Sequence, residues 1–409
     1  MSRPSSLTKT AIIVAVFAIA VGVRFFNYQN RIIFGPEQAM SLLISGQMLE
    51  KPSLLGQPYF RTTSRGHQLF TAPFFNYSLV PLMLLFKYRP MPITVFFTLL
   101  NLLTGLTLYH LTKKVFNFWT ALFSSILFLF SSFMVGHSLF IWSLNWLPLL
   151  GLLVLFGLYR FYQTRSTQYS LYLGFLSGLI LGLEYFYLLT LILVVGILLY
   201  YSKSKIKNAF YYLLGSIFAG MPMILFDLKH YFYHTRSVWQ YFMDTLANPG
   251  QGHITYYHFL HFWPLLAILG GNILTRLWSK KRFLPVVTII FLYMFLNLDL
   301  QPKLPAGVSL ADWESAASVI ADQRPENFNV ASLLDFDTRA HQLRYFLKYY
   351  FHLEPEVYDN YNRISALYVL APEEANLSPV NYELNSFYPY KVQKLSTNES
   401  GYSVYKLIK

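Results

Sequence analysis

The sequence has no cysteine, little charge and few carboxylates. The missing thiols exclude disulfides and any cysteine-ligated zinc or iron–sulfur site, and they leave the compartment open. Charged residues make up 12% of the chain, against roughly 25% in soluble domains. Internal repeats and low-complexity tracts are also missing. What is present is apolar: 55% of the 409 residues are hydrophobic and 19% aromatic, gathered in long runs over the first 300 positions. Runs of about 20 apolar residues cross a bilayer, and aromatic residues collect at its interfaces. The composition therefore predicts an all-α polytopic membrane protein with about nine or more transmembrane helices. The net charge of +13 raises nucleic acid as a partner, but its placement along the chain argues for a membrane instead.

Residues 11–23 read as a first, retained transmembrane helix rather than a cleaved leader, because small residues such as Ala18 and Ala20 lie inside the apolar run. Residues 77–86 are apolar but too short to span, which suits an interfacial helix or half-span. Spans are expected at 93–111, 119–135, 141–158, 171–183, 186–201, 209–225, 259–274 and 284–296. With the N-terminus inside, the inner loops carry Arg3, Lys9, Lys113, Lys114, Arg160, Arg165, Lys203, Lys205, Lys207, Arg276, Lys280, Lys281 and Arg282, with no acidic residue among them. The outer loops hold Glu37, Glu50, Glu184, Asp227 and Asp244. That asymmetry is the positive-inside pattern. It predicts a multi-pass plasma-membrane protein with a cytoplasmic N-terminus and an extracytoplasmic C-terminus.

Beyond residue 300 the composition turns polar and mixed. Ser309 and Asp312 mark a helix start ahead of 310–323, and 338–351 has helical spacing of Leu343, Phe346, Leu347 and Tyr350. Residues 328–334, 366–370, 391–395 and 402–407 read as strands. The expected organisation is a transmembrane catalytic body over 1–300 and a small extracytoplasmic α/β C-terminal domain over 301–409.

The body is organised around the loop 27–77, which is long for a helix connection and therefore a functional candidate. Its centre is Phe34-Gly35-Pro36-Glu37-Gln38, where Gly and Pro fix a turn that presents a carboxylate ahead of a helix over 38–49. Further polar features on the same side are Arg61, Arg65 and His67, then His137, Trp142 and Asn145, then Glu184-Tyr185, and last Asp227-Leu228-Lys229-His230 with Arg236. A carboxylate can take a proton from a reacting hydroxyl, and Arg, Lys or His can take the charge of a departing phosphate. Glycosyl transfer from a phospholipid-linked sugar needs that combination. Each residue also fits a structural part. Glu37 can cap a helix, Arg61 and Arg65 can meet lipid headgroups, and His67 can be a packing residue. Trp142 can sit in an interfacial belt, Asn145 can bond between helices, Glu184 can sit in a wet hairpin, and Asp227 and Lys229 can form a surface pair.

In the order of its motifs, the sequence resembles the GT-C superfamily of integral-membrane glycosyltransferases. The bacterial branch related to protein O-mannosyltransferases and lipid A aminoarabinose transferases is most similar. Glu37 matches the family's first-loop acidic residue, with Glu where most members have Asp. Pro73-Phe74-Phe75-Asn76-Tyr77 is similar to a Pro-aromatic segment, with His67 further upstream than the family's histidine. Ile141-Trp142-Ser143-Leu144-Asn145-Trp146-Leu147-Pro148 resembles a Trp-Asn-Pro-Asn segment with its middle residues changed. Leu181-Gly182-Leu183-Glu184-Tyr185-Phe186-Tyr187 resembles a Gly-Leu…Gln-x-His-Tyr segment, and Leu225-Phe226-Asp227-Leu228-Lys229-His230 a Phe-Asp/Glu-Leu-Arg-His motif. The resemblance covers about residues 10–300.

It implies a GT-C-like helical bundle, a polyprenyl-phosphate-sugar donor and an inverting single displacement onto an extracytoplasmic acceptor. On that reading Glu37 is the general base and Asp227 assists it. Arg61, Arg65, His67, Lys229 and His230 bind the donor phosphate, with Asn145, Glu184 and Tyr185 as further site candidates. An apolar groove holds the isoprenoid chain, and the tail covers the cavity or selects the acceptor. Some members use a divalent metal, which stays open here, but the single carboxylate of Glu37-Gln38 argues against an essential one, so no essential cofactor is expected. A lipid-linked glycan flippase or a non-catalytic membrane assembly protein are the alternatives. The lack of a repeat and the placement of acids at helix ends favour the enzyme.

Overall fold

The structure, a computed structural model, describes residues 5–248, 255–298, 300–304, 307–358, 360–379 and 381–409; Arg3 lies outside them. The first helix, α1 (Ser6–Phe25), starts where the Ser5 hydroxyl accepts the Thr8 N–H. The long loop that follows is itself folded. Gly35 caps α2 (Pro36–Glu50), Pro36 occupies its first turn, and the Gln38 side chain accepts the Gly35 N–H at 2.9 Å. An antiparallel hairpin, β1 (Pro58–Thr62) and β2 (Gln68–Phe70), leads into α3 (Phe74–Leu85). Asn76 binds these pieces together, donating to the Ser41 carbonyl and the Ser45 hydroxyl and accepting the Gln57 N–H.

The body continues with α4 (Pro90–Val115), α5 (Phe118–Leu129), α6 (Ser132–His137), α7 (Leu147–Thr164), α8 (Thr167–Leu183), α9 (Tyr187–Tyr201), α10 (Lys205–Lys229), α11 (Tyr233–Ala247), α12 (Trp263–Ser279) and α13 (Phe283–Asn297). Among the described residues, four helical stretches are long and apolar enough to cross a membrane: Ser6–Phe25, Pro90–Val115, Ser143–Thr164 and Lys205–Lys229. Helices α3, α5, α8, α9 and α13 are apolar but shorter. These four, by length and composition, do not confirm the expected count of about nine or more spanning helices. The outward faces are strongly apolar: Ile192 and Leu193 on α9, Phe210 and Phe218 on α10, and Phe291 and Phe295 on α13 are all exposed. A surface of that kind needs lipid to cover it, and the chain is a membrane protein.

The expected span over 119–135 is broken at Phe130 and Ser131, between α5 and α6. Unpaired carbonyls are costly at membrane depth, so such a break requires partners buried in the protein. Two are present. The fully buried Arg24 donates to the Leu129 carbonyl at 3.0 Å and to Asn101 at 2.8 Å, and the Tyr293 hydroxyl donates to the Leu127 carbonyl at 2.6 Å.

The tightest helix pair is α8 against α10. A Cβ at Gly174 would lie 1.9 Å from the Tyr212 carbonyl oxygen, and one at Gly215 would lie 2.2 Å from that of Leu171. Bare glycine lets the two backbones touch, and the Ser216 hydroxyl donates to the Gly174 carbonyl across the seam.

The tail consists of α14 (Leu310–Asp322), β3 (Phe328–Ser332), α15 (His341–Tyr350), β4 (Ala366–Pro372), α16 (Tyr382–Phe387), β5 (Lys391–Thr397) and β6 (Tyr402–Ile408). Its sheet runs β3-β4-β6-β5, with β3 parallel to β4 and the other pairs antiparallel. Ser309 and Asp312 form the expected capping box. One face of the tail is continuous with the core of the body: Phe34 packs against Tyr345 and Phe346, Tyr88 stacks on Tyr349 at 4.6 Å, and Gly46 lies under the Tyr349 hydroxyl.

Candidate functional site

These elements converge on a cavity of about 520 Å³. Helix α2 contributes Glu37, and the loop and strand β1 contribute Gln57, Tyr59 and Phe60. The stretch ahead of α7 contributes Trp142, the end of α8 contributes Leu183 and Glu184, and Tyr241, Tyr257 and His258 close the far wall. Phe336 reaches in from the tail and meets Phe60 edge-on at 5.5 Å. The cavity therefore lies where body and tail meet.

Glu37 lies in the first turn of α2, half-buried on the cavity wall. Among the described residues nothing donates to its carboxylate. The helix N-terminus favours a negative charge there, whereas burial disfavours one. Burial wins, and the Glu37 carboxyl is pushed above its ordinary value. A carboxylate without hydrogen bonds and with raised basicity is suited to taking a proton.

Glu184 follows the last residue of α8 and is almost wholly buried. One of its oxygens accepts the Phe186 N–H at 2.9 Å, and the other lies 2.8 Å from His258 Nδ1. This pairing joins residues 74 positions apart, and nothing in the local sequence pattern indicates it. The signal that could have drawn attention to His258 is the density of rings and imidazoles in Tyr256-Tyr257-His258-Phe259-Leu260-His261.

Asp227 and Tyr185 lie on the other side of this wall, lining an apolar groove of about 370 Å³ with Gly182, Leu188, Ile217 and Ile224. The Asp227 carboxylate is fully engaged: it accepts the His234 N–H at 2.7 Å, the Thr235 N–H at 3.0 Å and the Thr235 hydroxyl at 2.5 Å. It fixes the turn from α10 into α11. The Tyr185 hydroxyl donates to the Phe70 carbonyl and pairs with His234 Nε2, while burial brings His234 down to about 4, so its ring is neutral. Replacing Asp227 with alanine would leave those buried donors without an acceptor. The expected cost is about 1–3 kcal/mol of stability, read as a lowered unfolding temperature, with Asp227→Asn retaining part of the bonding. An alanine variant as stable as wild type would refute this structural part.

The remaining sequence candidates whose side chains are described do not line the cavity. Arg65 is exposed at the hairpin turn, and the half-buried His67 packs its ring 5.3 Å from Tyr233. Lys229 and His230 are exposed at the end of α10, with His230 stacked on Phe226. Asn145 donates to the Phe140 carbonyl at 2.8 Å, behind Trp142, whose ring stacks on His137. Arg61 lies in β1, and its side chain is outside the described residues. No group of three or more metal-ligating side chains is found among the described residues.

No family model matches the sequence, and no curated protein matches it. The fold, however, is similar to that of ArnT from Cupriavidus metallidurans. The apo structure of that protein aligns over 97% of this chain and 98% of its own, with a TM-score of 0.55 at 14% identity. The structure bound to undecaprenyl phosphate aligns over the same shares, with a TM-score of 0.54 at 14% identity. At this level of identity the likeness is one of fold.

Proposed function

We propose that the chain is a membrane glycosyltransferase that moves a sugar from a polyprenyl-phosphate-linked donor to an extracytoplasmic acceptor. The observation that carries this reading is Glu37, a carboxylate of raised basicity and without hydrogen bonds among the described residues, on the wall of a cavity enclosed by body and tail. The fold it shares with ArnT, one structure of which holds undecaprenyl phosphate, supports the lipid donor. In the reaction Glu37 takes the proton of the acceptor hydroxyl or amine. The freed lone pair bonds to the anomeric carbon on the face opposite the phosphate. The carbon–oxygen bond to phosphate breaks, and its electrons leave with the polyprenyl phosphate, so configuration inverts.

Tyr59, Tyr241, Tyr257 and Trp142 supply aromatic faces for the sugar ring, and Phe336 places the tail over the acceptor side. The groove along α8, α9, α10 and α11 offers Leu181, Leu191, Met223 and other apolar side chains to an isoprenoid chain. Arg65, Lys229 and His230, exposed outside the cavity, suit lipid headgroups rather than the reacting phosphate. In this reading the N-terminus is cytoplasmic, residues 1–300 form the catalytic body and 301–409 the extracytoplasmic tail.

The test is turnover of a panel of radiolabelled polyprenyl-phosphate sugars by membranes containing the protein and a crude envelope acceptor. One donor should be consumed, with polyprenyl phosphate released in equal amount. Consumption of none would overturn the enzyme reading.

A further inference from the structure

Departure of a polyprenyl phosphate leaves negative charge at the phosphate oxygen, and a donor or cation in the cavity wall stabilises it there. Among the described side chains that line the cavity, His258 is the basic one. It is also held in place. Its Nδ1 lies 2.8 Å from the buried Glu184 carboxylate, and its ring is packed between Phe186 at 4.6 Å and Tyr257 at 4.5 Å. With Nδ1 donating to a carboxylate, Nε2 is the nitrogen left for a ligand, and it carries a hydrogen toward an anion in the imidazolium form, where both ring nitrogens donate. Glu184 is in turn anchored by the Phe186 N–H, so the pair cannot swing apart without losing a backbone bond.

Resting on the transferase reading above, we propose that His258 is a catalytic residue that binds the donor's phosphate through Nε2–H, with Glu184 as the positioning residue that aims the ring and stabilises its imidazolium. As the bond from the anomeric carbon to phosphate breaks, its electron pair passes to the phosphate oxygen that Nε2–H bonds, while the acceptor proton is already on Glu37. The two walls of the cavity thus divide the charge. Glu37 receives the proton on the α2 side, and the Glu184–His258 pair receives the anion on the side where α8 ends. The other titratable groups facing this space are Tyr257 beside His258 and Tyr59, Tyr241 and Glu37 across it. Burial holds the Tyr59 hydroxyl well above its ordinary range, so it adds no charge.

The pair could instead be a staple that only joins the end of α8 to residue 258, and His258→Asn separates the two roles. The asparagine amide can still donate to Glu184 from the Nδ1 position, but nothing replaces Nε2. Binding of undecaprenyl phosphate to the purified full chain in detergent is the measurement, with unfolding temperature recorded alongside. His258→Asn should keep its unfolding temperature and bind at least tenfold more weakly. Glu184→Gln, whose amide oxygen can still accept the Phe186 N–H, should keep its unfolding temperature yet bind several-fold more weakly, and Glu184→Asp should recover part of the binding; a stable Glu184→Gln that binds like wild type would overturn the positioning part. A stable His258→Asn that binds like wild type would overturn the assignment and leave the functional reading standing. A wild type that binds no polyprenyl phosphate would overturn both.

Discussion

Glu37→Gln should abolish sugar transfer while making the protein more stable at neutral pH. The first effect follows from removing the base: a positioned general base contributes about 10²–10⁴ in rate, and the isosteric amide takes no proton. The second follows from burial. The folded carboxyl is pushed above its ordinary value because the site strips water from its charged form. Above the folded pKa the folded state therefore carries a charge that the unfolded state solvates better, and this costs stability. Below the ordinary carboxylate range both states are protonated and the cost disappears. The glutamine variant should accordingly unfold at a higher temperature than wild type at pH 8, and the gap should close at acid pH. Glu37→Asp keeps the charge but draws it back by one methylene, and should retain part of the rate. A Gln variant with full turnover would remove Glu37 from the base role. A Gln variant less stable at pH 8 would show that its charge holds the fold together rather than being strained by it.

One methyl group at either of two glycines should disrupt the body. Gly174→Ala would set a Cβ 1.9 Å from the Tyr212 carbonyl oxygen, and Gly215→Ala would set one 2.2 Å from the Leu171 oxygen and 2.7 Å from the Phe175 nitrogen. The obstacles are backbone, so no rotamer change relieves them, and α8 and α10 must separate. Overpacking of a core usually costs about 1–3 kcal/mol through side-chain adjustment, and these two should exceed that range. Either variant should lose most of its monodisperse, folded fraction after extraction. Gly196→Ala on α9, where nothing lies within 4 Å of the added atom, is the matched control and should behave as wild type. Survival of the Gly174 variant at wild-type yield would mean that the close approach of α8 and α10 is not needed.

Much of this architecture is legible in the sequence, wherever the signal is local. Pro36 and Gly35 mark the start of α2, Ser309 and Asp312 mark the start of α14, and apolar runs locate most helices within a few residues. What is not legible depends on distant partners. The break after Leu129 exists because Arg24, 105 residues earlier, supplies hydrogen bonds to the freed carbonyl, and a window of apolar residues contains no trace of that. The first loop contains a hairpin because its tip and strand are fastened to α11, through Ser64 to Asp244 and Gln68 to Tyr233. Helix α11 begins, after Tyr233, with the polar stretch His234-Thr235-Arg236-Ser237 and contains no long apolar run, so apolar runs alone do not mark it. At the site, Glu37 is legible as a carboxylate behind the Gly35-Pro36 turn of the long loop, and Glu184 as one between two apolar runs. His258 is not, since its neighbourhood is assembled only when α8 ends against it.

The bond between tail and first loop bears on how such a protein diversifies. Phe34 sits just ahead of the turn that presents Glu37, and it is wedged against Tyr345 and Phe346, while Gly46 leaves a notch for Tyr349. The tail is therefore not an interchangeable module. A chimaera carrying a foreign tail would arrive without the aromatic ridge that seats α2, and the height of the base would shift with it. Exchange would have to move α2 and α15 together, as lock and key. Drift in the tail is thereby tied to the wall that carries Glu37, and change on one side of that joint calls for a matching change on the other.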